Sequence, residues 1–190
     1  MRKKATHRSE ESMEYFDLIR ERYSVRNYKE KKVEPEKISK ILEAGRIAPT
    51  AGNRQPQRIV VIDSAEALDK IKQCTPCHFN APIIFLVCYD KSVENNNHYG
   101  DKRTYGCVDA SIVLTHMMLE AQNIGLGSVW VGLFKPELLR QYFAIPDHFE
   151  ILGLLPLGYP ATDAKPSKMH NEKFPLNHTI FFNSFEPACK

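Results

Sequence analysis

The chain has 190 residues, 43% of them hydrophobic, which suits one compact domain with a real core rather than a disordered or multi-domain protein. Its formal charge is +3, from 26 basic against 23 acidic side chains, and no basic stripe interleaved with aromatics is present, so a nucleic-acid role is disfavoured. No apolar run is long enough to cross a membrane, and an odd count of 5 Cys argues against a disulfide framework, so a cytoplasmic setting is expected.

Residues 1–12 are basic, then polar, and read as a flexible arm without the apolar middle of a secretory signal; residues 13–190 read as one domain. Met13, Phe16 and Ile19 recur at spacing three and predict a short amphipathic helix ending near Glu21. Residues 22–32 are polar and basic and read as a loop. Pro35 opens a second helix with Ile38, Ile41, Leu42 and Gly45 on one face. Two prolines, a Gly and an Asn make residues 48–56 a loop. A strand is expected at Arg58–Ile62, a helix at Ala65–Cys74, and a buried strand at Ile83–Tyr89. Residues 90–103 are polar and read as a flexible excursion. A long helix follows, from about Val108 to Asn123, with Asp109 in its first turn to complement the helix dipole, and stopped at Gly125; being apolar on most faces, it is expected to be buried, as at a subunit interface. A strand at Ser128–Val131, a helix at Glu137–Phe143 and a strand at Ile151–Leu157 complete the pattern. From Pro160 the chain lacks a dense apolar pattern until Ile180–Phe185, which suggests a tail wrapped around a partner.

Three segments carry chemistry. Arg22-Tyr23-Ser24-Val25-Arg26 places two guanidinium groups and a hydroxyl on alternate positions, so that in extended chain all three point to one side, as an anion requires. Standing alone, the segment is read first as a solvated loop. Ala48-Pro49-Thr50-Ala51-Gly52-Asn53-Arg54-Gln55-Pro56 is rich in groups that both donate and accept hydrogen bonds, suited to the polar edge of a ligand, although in isolation an Asx turn is the favoured reading. Gly125-Leu126-Gly127-Ser128-Val129-Trp130-Val131-Gly132-Leu133 has the wrong glycine spacing for a dinucleotide fingerprint and leads from a helix into a strand, which argues against a Rossmann site. Gly132 at the strand end would let a flat ring approach the backbone.

In this order, together with Leu157-Gly158-Tyr159-Pro160, these segments resemble the nitroreductase family of flavoproteins, from about Met13 to Phe185. The resemblance implies an α+β fold of three layers, a mainly antiparallel central sheet flanked by helices, and a homodimer in which the C-terminal extension wraps the partner and two FMN lie at the interface. It assigns Arg22, Tyr23, Ser24 and Arg26 to FMN from one subunit and Pro49, Thr50, Asn53 and Gln55 from the other. Val131, Gly132 and Leu133 would face the N5 and O4 edge of the ring through backbone groups. Near the C-terminus the matching stretch is Lys165-Pro166-Ser167-Lys168, in which Lys168 stands where many relatives carry a phosphate-binding Arg and lacks the fork of a guanidinium.

The implied reaction has two steps: NADH or NADPH gives hydride to the flavin and leaves, then a nitroaromatic, quinone or similar electron-poor acceptor takes the electrons. Hydride transfer needs no general acid, so no catalytic side chain is nominated. Other readings are a flavoenzyme dedicated to an enone or haloaromatic substrate, and a module that stores or senses FMN without turnover. Cys74-Thr75-Pro76-Cys77 has redox spacing but neither thioredoxin flanks nor zinc-motif partners, and coincidence is the favoured reading. No metal is expected. Trp130 reads as a packing residue, and Tyr99 or Tyr105 in the polar excursion are candidates to cap the flavin, although surface disorder is the favoured reading there.

Overall fold

The computed structural model describes residues 14–96 and 103–185. The N-terminal arm and the Asn97-His98-Tyr99 stretch lie outside the described residues. Helix α1 is Tyr15–Glu21 and α2 is Pro35–Arg46, with Pro35 in the first turn as its missing N–H allows. Strand β1 (Gln57–Ile62) leads to α3 (Ala65–Cys74), whose start is capped by Ser64 accepting from Ala67 N–H. Strand β2 (Ile83–Asp90), helix α4 (Gly106–Asn123), strand β3 (Gly127–Ser128), helix α5 (Pro136–Phe143) and strand β4 (Phe149–Gly158) follow.

The strands form one sheet in the order β1-β2-β4-β3, every neighbouring pair antiparallel. Strand β2 is apolar throughout because both its faces are covered. Ile83, Phe85 and Val87 point to the layer of α2 and α4, where they meet Ile41, Val113, Leu114 and Met117. Ile84, Leu86 and Cys88 point to the layer of α3 and α5, where they join Ile71, Cys74 and Leu139. This is the expected three-layer α+β arrangement.

Two expectations need correction. The strand read as Ser128–Val131 ends at Ser128, and the cause is Pro156 on the neighbouring strand. The pairing keeps one register, from Gly127 opposite Gly158 through Val131 opposite Leu154. Val129 N–H donates to Pro156 O at 3.2 Å, but Pro156 has no N–H to return to Val129, so the ladder is interrupted for one pair. Helix α4 begins at Gly106, two residues early. Within the chain Ala110, Val113, Leu114, Met117 and Ala121 are enclosed, while Val108 is exposed.

The C-terminal segment after β4 contains two short helical turns, Lys168–Asn171 and Leu176–His178. It leaves Phe174, Leu176, Phe182 and Phe185 largely in solvent, the last two 86% and 85% exposed.

Candidate functional site

The first part of the site is built where the chain leaves α1. Residue 22 turns into extended backbone, and Ser24 forms a parallel bridge to Ser128 on β3, with Val25 N–H donating to Ser128 O at 3.1 Å. Val25 is fully buried and packs against Gly127, where an added Cβ would lie 2.4 Å from the valine methyl. With Val25 turned inward, Ser24 and Arg26 turn outward, as alternation in extended chain requires. Tyr28 fixes this geometry from below. Its buried hydroxyl lies 2.7 Å from Val25 O and 3.0 Å from Pro156 O, and burial, the main cause, raises its pKa so that it stays a donor.

Ser24, Arg26 and Asn27 form one wall of a cleft of about 230 Å³, and Asp163, Ala164, Lys165 and Ser167 form the other. Asn27 donates to Asp163 at 2.9 Å, occupying one carboxylate oxygen, while Arg26 bonds back to Ser24 O at 3.2 Å. The cleft thus offers a guanidinium, an ammonium and two hydroxyls, against one carboxylate, Asp163, that Asn27 engages. Arg22 and Tyr23 are half-buried and do not line this cleft; Tyr23 meets the His170 ring edge-on at 6.3 Å. Lys168 opens the helical turn that follows Ser167 and is exposed. Lys165 and Ser167 line the cleft, so within the stretch Lys165–Lys168 that the resemblance matched to a phosphate ligand it is these two, and not Lys168, that stand opposite Arg26.

The second part is the loop of residues 48–56. Gly52, Asn53 and Gln55 all have positive φ, at 59°, 54° and 50°. For the two non-glycine residues this is an uncommon conformation that needs support. Gln55 N–H donates to Thr50 Oγ1 at 3.0 Å, and Gln55 Nε2 lies 3.2 Å from Asn53 O and Oδ1, so Thr50, Asn53 and Gln55 are drawn together. Pro49 is exposed beside them. The loop hangs from α4: Ala51 N–H donates to Asp109 Oδ1 at 2.9 Å. Asp109 is only 2% exposed, and its other oxygen has no protein partner. Sequence reading took Asp109 for a complement to the helix dipole and missed its grip on this loop.

The third part is the end of the β3 segment. Val131 is buried and exchanges both backbone hydrogen bonds with Leu154, at 2.8 and 2.9 Å. At Gly132 an added Cβ would meet nothing within 4 Å, and Leu133 is 64% exposed. The backbone there faces open space. It is held from behind by Thr75, whose hydroxyl donates to Leu133 O at 2.5 Å and accepts from Cys77 N–H at 3.0 Å. Lys135 N–H donates to Cys74 O at 2.8 Å, so the end of α3 clamps this turn at two points. Trp130 packs across Gly153, with its edge exposed.

The first and third parts share one sheet edge, since Ser24 pairs with Ser128, five residues before Leu133, a reach of up to about 17 Å in extended chain. The second part hangs near the other end of α4. From Asp109 to Ala121, where Leu126 N–H bonds back to the helix, is twelve residues, or about 18 Å of helix axis. Cys74 and Cys77 are free thiols; Cys74 is buried, which raises its pKa, and donates to Lys70 O at 3.3 Å. Tyr105 precedes the first turn of α4 as its N-terminal cap residue. Among the described residues there is no metal-binding cluster, and no helix is long and apolar enough to cross a membrane.

The model of the nitroreductase family matches residues 19–75 and 76–159, from α1 to the end of β4. A protein of Methanothermobacter thermautotrophicus, named as an NADH dehydrogenase/NAD(P)H nitroreductase, is 32% identical over 175 residues, covering 85% of this chain and 88% of that protein. The crystal structure of a nitroreductase family protein from Clostridium difficile 630 superposes with a TM-score of 0.85 at 39% identity, covering 90% of this chain and 99% of the other. An FMN-dependent nitroreductase from Clostridium difficile R20291 is 26% identical, with a TM-score of 0.73 over 90% of this chain and 99% of its own. The motifs, the antiparallel three-layer fold and these matches agree: the chain belongs to the nitroreductase family.

Proposed function

We propose that this chain is an FMN-dependent oxidoreductase that uses NADH or NADPH to reduce nitroaromatic, quinone or similar electron-poor small molecules by a ping-pong hydride mechanism, and that it acts as a homodimer. The observation that carries the reading is the shared sheet edge: an anion cleft at Ser24, Arg26 and Lys165 at one end, and an open, rigidly held backbone at Gly132 at the other. A phosphate suits the cleft because Arg26 offers forked donors and the hydroxyls of Ser24 and Ser167 complete its shell. A flat ring suits Gly132 because nothing stands in front of it.

Bound there, FMN supplies a ring that accepts hydride from the nicotinamide and delivers electrons to the acceptor. The protein's task is orientation. Backbone groups of residues 131–133 polarise one ring edge, and Thr75 keeps them in place. Arg22, Tyr23, Ser24, Arg26 and Lys168 bind the phosphate and pyrimidine end. Thr50, Asn53 and Gln55, together with Pro49, complete the site from a second protomer. The separation of about 18 Å along α4 between that loop and β3 supports a site divided between two chains. So does the apolar surface of Phe174, Leu176, Phe182 and Phe185, which is unsuited to permanent exposure.

The test is an absorbance spectrum of the purified protein followed by anaerobic addition of NADH and of NADPH, with the mass in solution measured alongside. A flavin spectrum that bleaches with either nucleotide, in a particle of twice the chain mass, is the expected outcome. A protein that binds no FMN when it is added refutes the proposal. Bound flavin that neither nucleotide bleaches would identify a storage or sensing module instead.

A further inference from the structure

Beside the open backbone at Leu133 lies a second cavity, of about 420 Å³, that the flavin reading leaves unused. Its walls are the end of α3 and the turn into α5: Lys72, Gln73, Thr75 and Pro76 on one side, Leu133, Phe134 and Lys135 on the other. No carboxylate lines it. Lys135 has no carboxylate partner among the described residues. Lys72 is paired with Asp69 at 2.7 Å, one helical turn back, and its side chain is about half exposed. Leu133 and Phe134 add an apolar surface directly beside these charges.

An apolar shelf flanked by two ammonium groups suits a flat ring carrying an anionic substituent. Its position selects among such ligands. Lys135 stands two residues beyond Leu133, about 7 Å of extended chain from the backbone assigned to the ring edge. A hydride donor must place its nicotinamide at that edge, and its charged remainder must then extend outward.

We propose that this cavity is the subsite for the phosphate-bearing adenosine half of the nicotinamide donor, with Lys135 and Lys72 as its anion ligands. The proposal rests on the assignment of the flavin edge to residues 131–133. Lys135 carries the larger share, because Lys72 must be drawn from Asp69 to contribute. Both contacts are solvent-exposed, so each is worth up to roughly fivefold in affinity, the upper range for an exposed ion pair, and weakens with salt.

The experiment titrates the flavin-loaded protein calorimetrically with adenosine 2′,5′-bisphosphate, a redox-inactive phosphate probe, and separately with benzoate, a ring carrying a carboxylate. The expected result is that Lys135→Gln weakens the bisphosphate roughly fivefold, Lys72→Gln weakens it less, and the double variant weakens it on the order of tenfold or more, each loss shrinking at high salt. Lys40→Gln, an equal loss of charge on an exposed position of α2, leaves binding unchanged. Bisphosphate affinity unchanged in the double variant overturns the proposal. Benzoate binding that depends on these lysines while bisphosphate binding does not assigns the cavity to an anionic acceptor and also overturns it. Because the probes bind without electron transfer, the result stands whether or not a nucleotide bleaches the flavin, and failure of this subsite is distinguishable from failure of the proposed reaction.

Discussion

Replacing Thr75 by Val tests whether the end of α3 holds the open backbone in place. The side chain is 2% exposed, and its hydroxyl makes two bonds, to Leu133 O at 2.5 Å and from Cys77 N–H at 3.0 Å. Val keeps the volume and removes both. Two lost hydrogen bonds at about 1 kcal/mol each, partly offset because Leu133 and Cys77 lie near solvent, give a net cost of about 1–2 kcal/mol. With an m-value of about 2 kcal/mol/M, the urea midpoint should fall by about 0.5–1 M. Thr75→Ser keeps both bonds and loses one methyl, about 0.8 kcal/mol, so its midpoint should fall by less than about 0.4 M. FMN affinity, read by quenching of flavin fluorescence, should fall severalfold in Thr75→Val and hold within about twofold in Thr75→Ser. A Val variant with the midpoint and FMN affinity of the parent, or a Ser variant that loses as much as Val, would refute the clamp.

Other outcomes follow from the same geometry. Gly132→Ala should leave the urea midpoint of the flavin-free protein unchanged, because its Cβ meets nothing within 4 Å and its φ is not positive, yet it should weaken FMN binding by intruding on the ring face. Equal FMN affinity in that variant would move the ring elsewhere. Arg26→Ala removes a charge-assisted contact, and FMN affinity should fall on the order of tenfold, with riboflavin, which lacks the phosphate, much less affected. Glu34 has its pKa lowered to about 2, first by the Tyr159 hydroxyl, then by its own backbone N–H and by Lys31. A depressed carboxylate contributes stability above its unfolded value near 4.5 and loses it as pH falls toward about 2. Glu34→Gln should therefore flatten the loss of stability in that window, as followed by urea midpoints at stepped pH.

Much of the architecture was legible because local signals carried it. Pro35 marked the start of α2, and the unbroken apolar run Ile83–Tyr89 marked a strand covered on both faces. The alternation about Val25, which points in, made the shared outward face of Ser24 and Arg26 legible, whereas Arg22, expected on the same face, does not line their cleft. What stayed hidden depends on partners distant in sequence. Pro156 was visible, but which strand would lack its donor was not, so β3 was read three residues too long past Ser128. Thr75 and Leu133 are 58 residues apart, and a buried threonine leaves no periodic trace. Asp109 was noticed for its place in a helix rather than for its bond to Ala51, because helix position is local and the bond is not. Lys165 and Ser167 sit in a segment without regular structure, where sequence alone does not say which side chain turns toward Arg26.

Helix α4 carries a consequence for how this chain can vary. The loop of residues 48–56 is suspended from Asp109 near its start, and β3 departs from its end through the bond of Leu126 to Ala121. The helix is therefore a spacer that sets both the distance and the angular phase between two sets of groups proposed to face the ligand. Deleting one residue between them would shorten the spacing by about 1.5 Å and turn one set by about 100° relative to the other. Adding seven would restore the phase to within about 20° while lengthening the spacing by about 10 Å. Substitution along the exposed face of α4 is thus permitted where a change of length is not, and the tolerance of this helix is one of composition rather than of count.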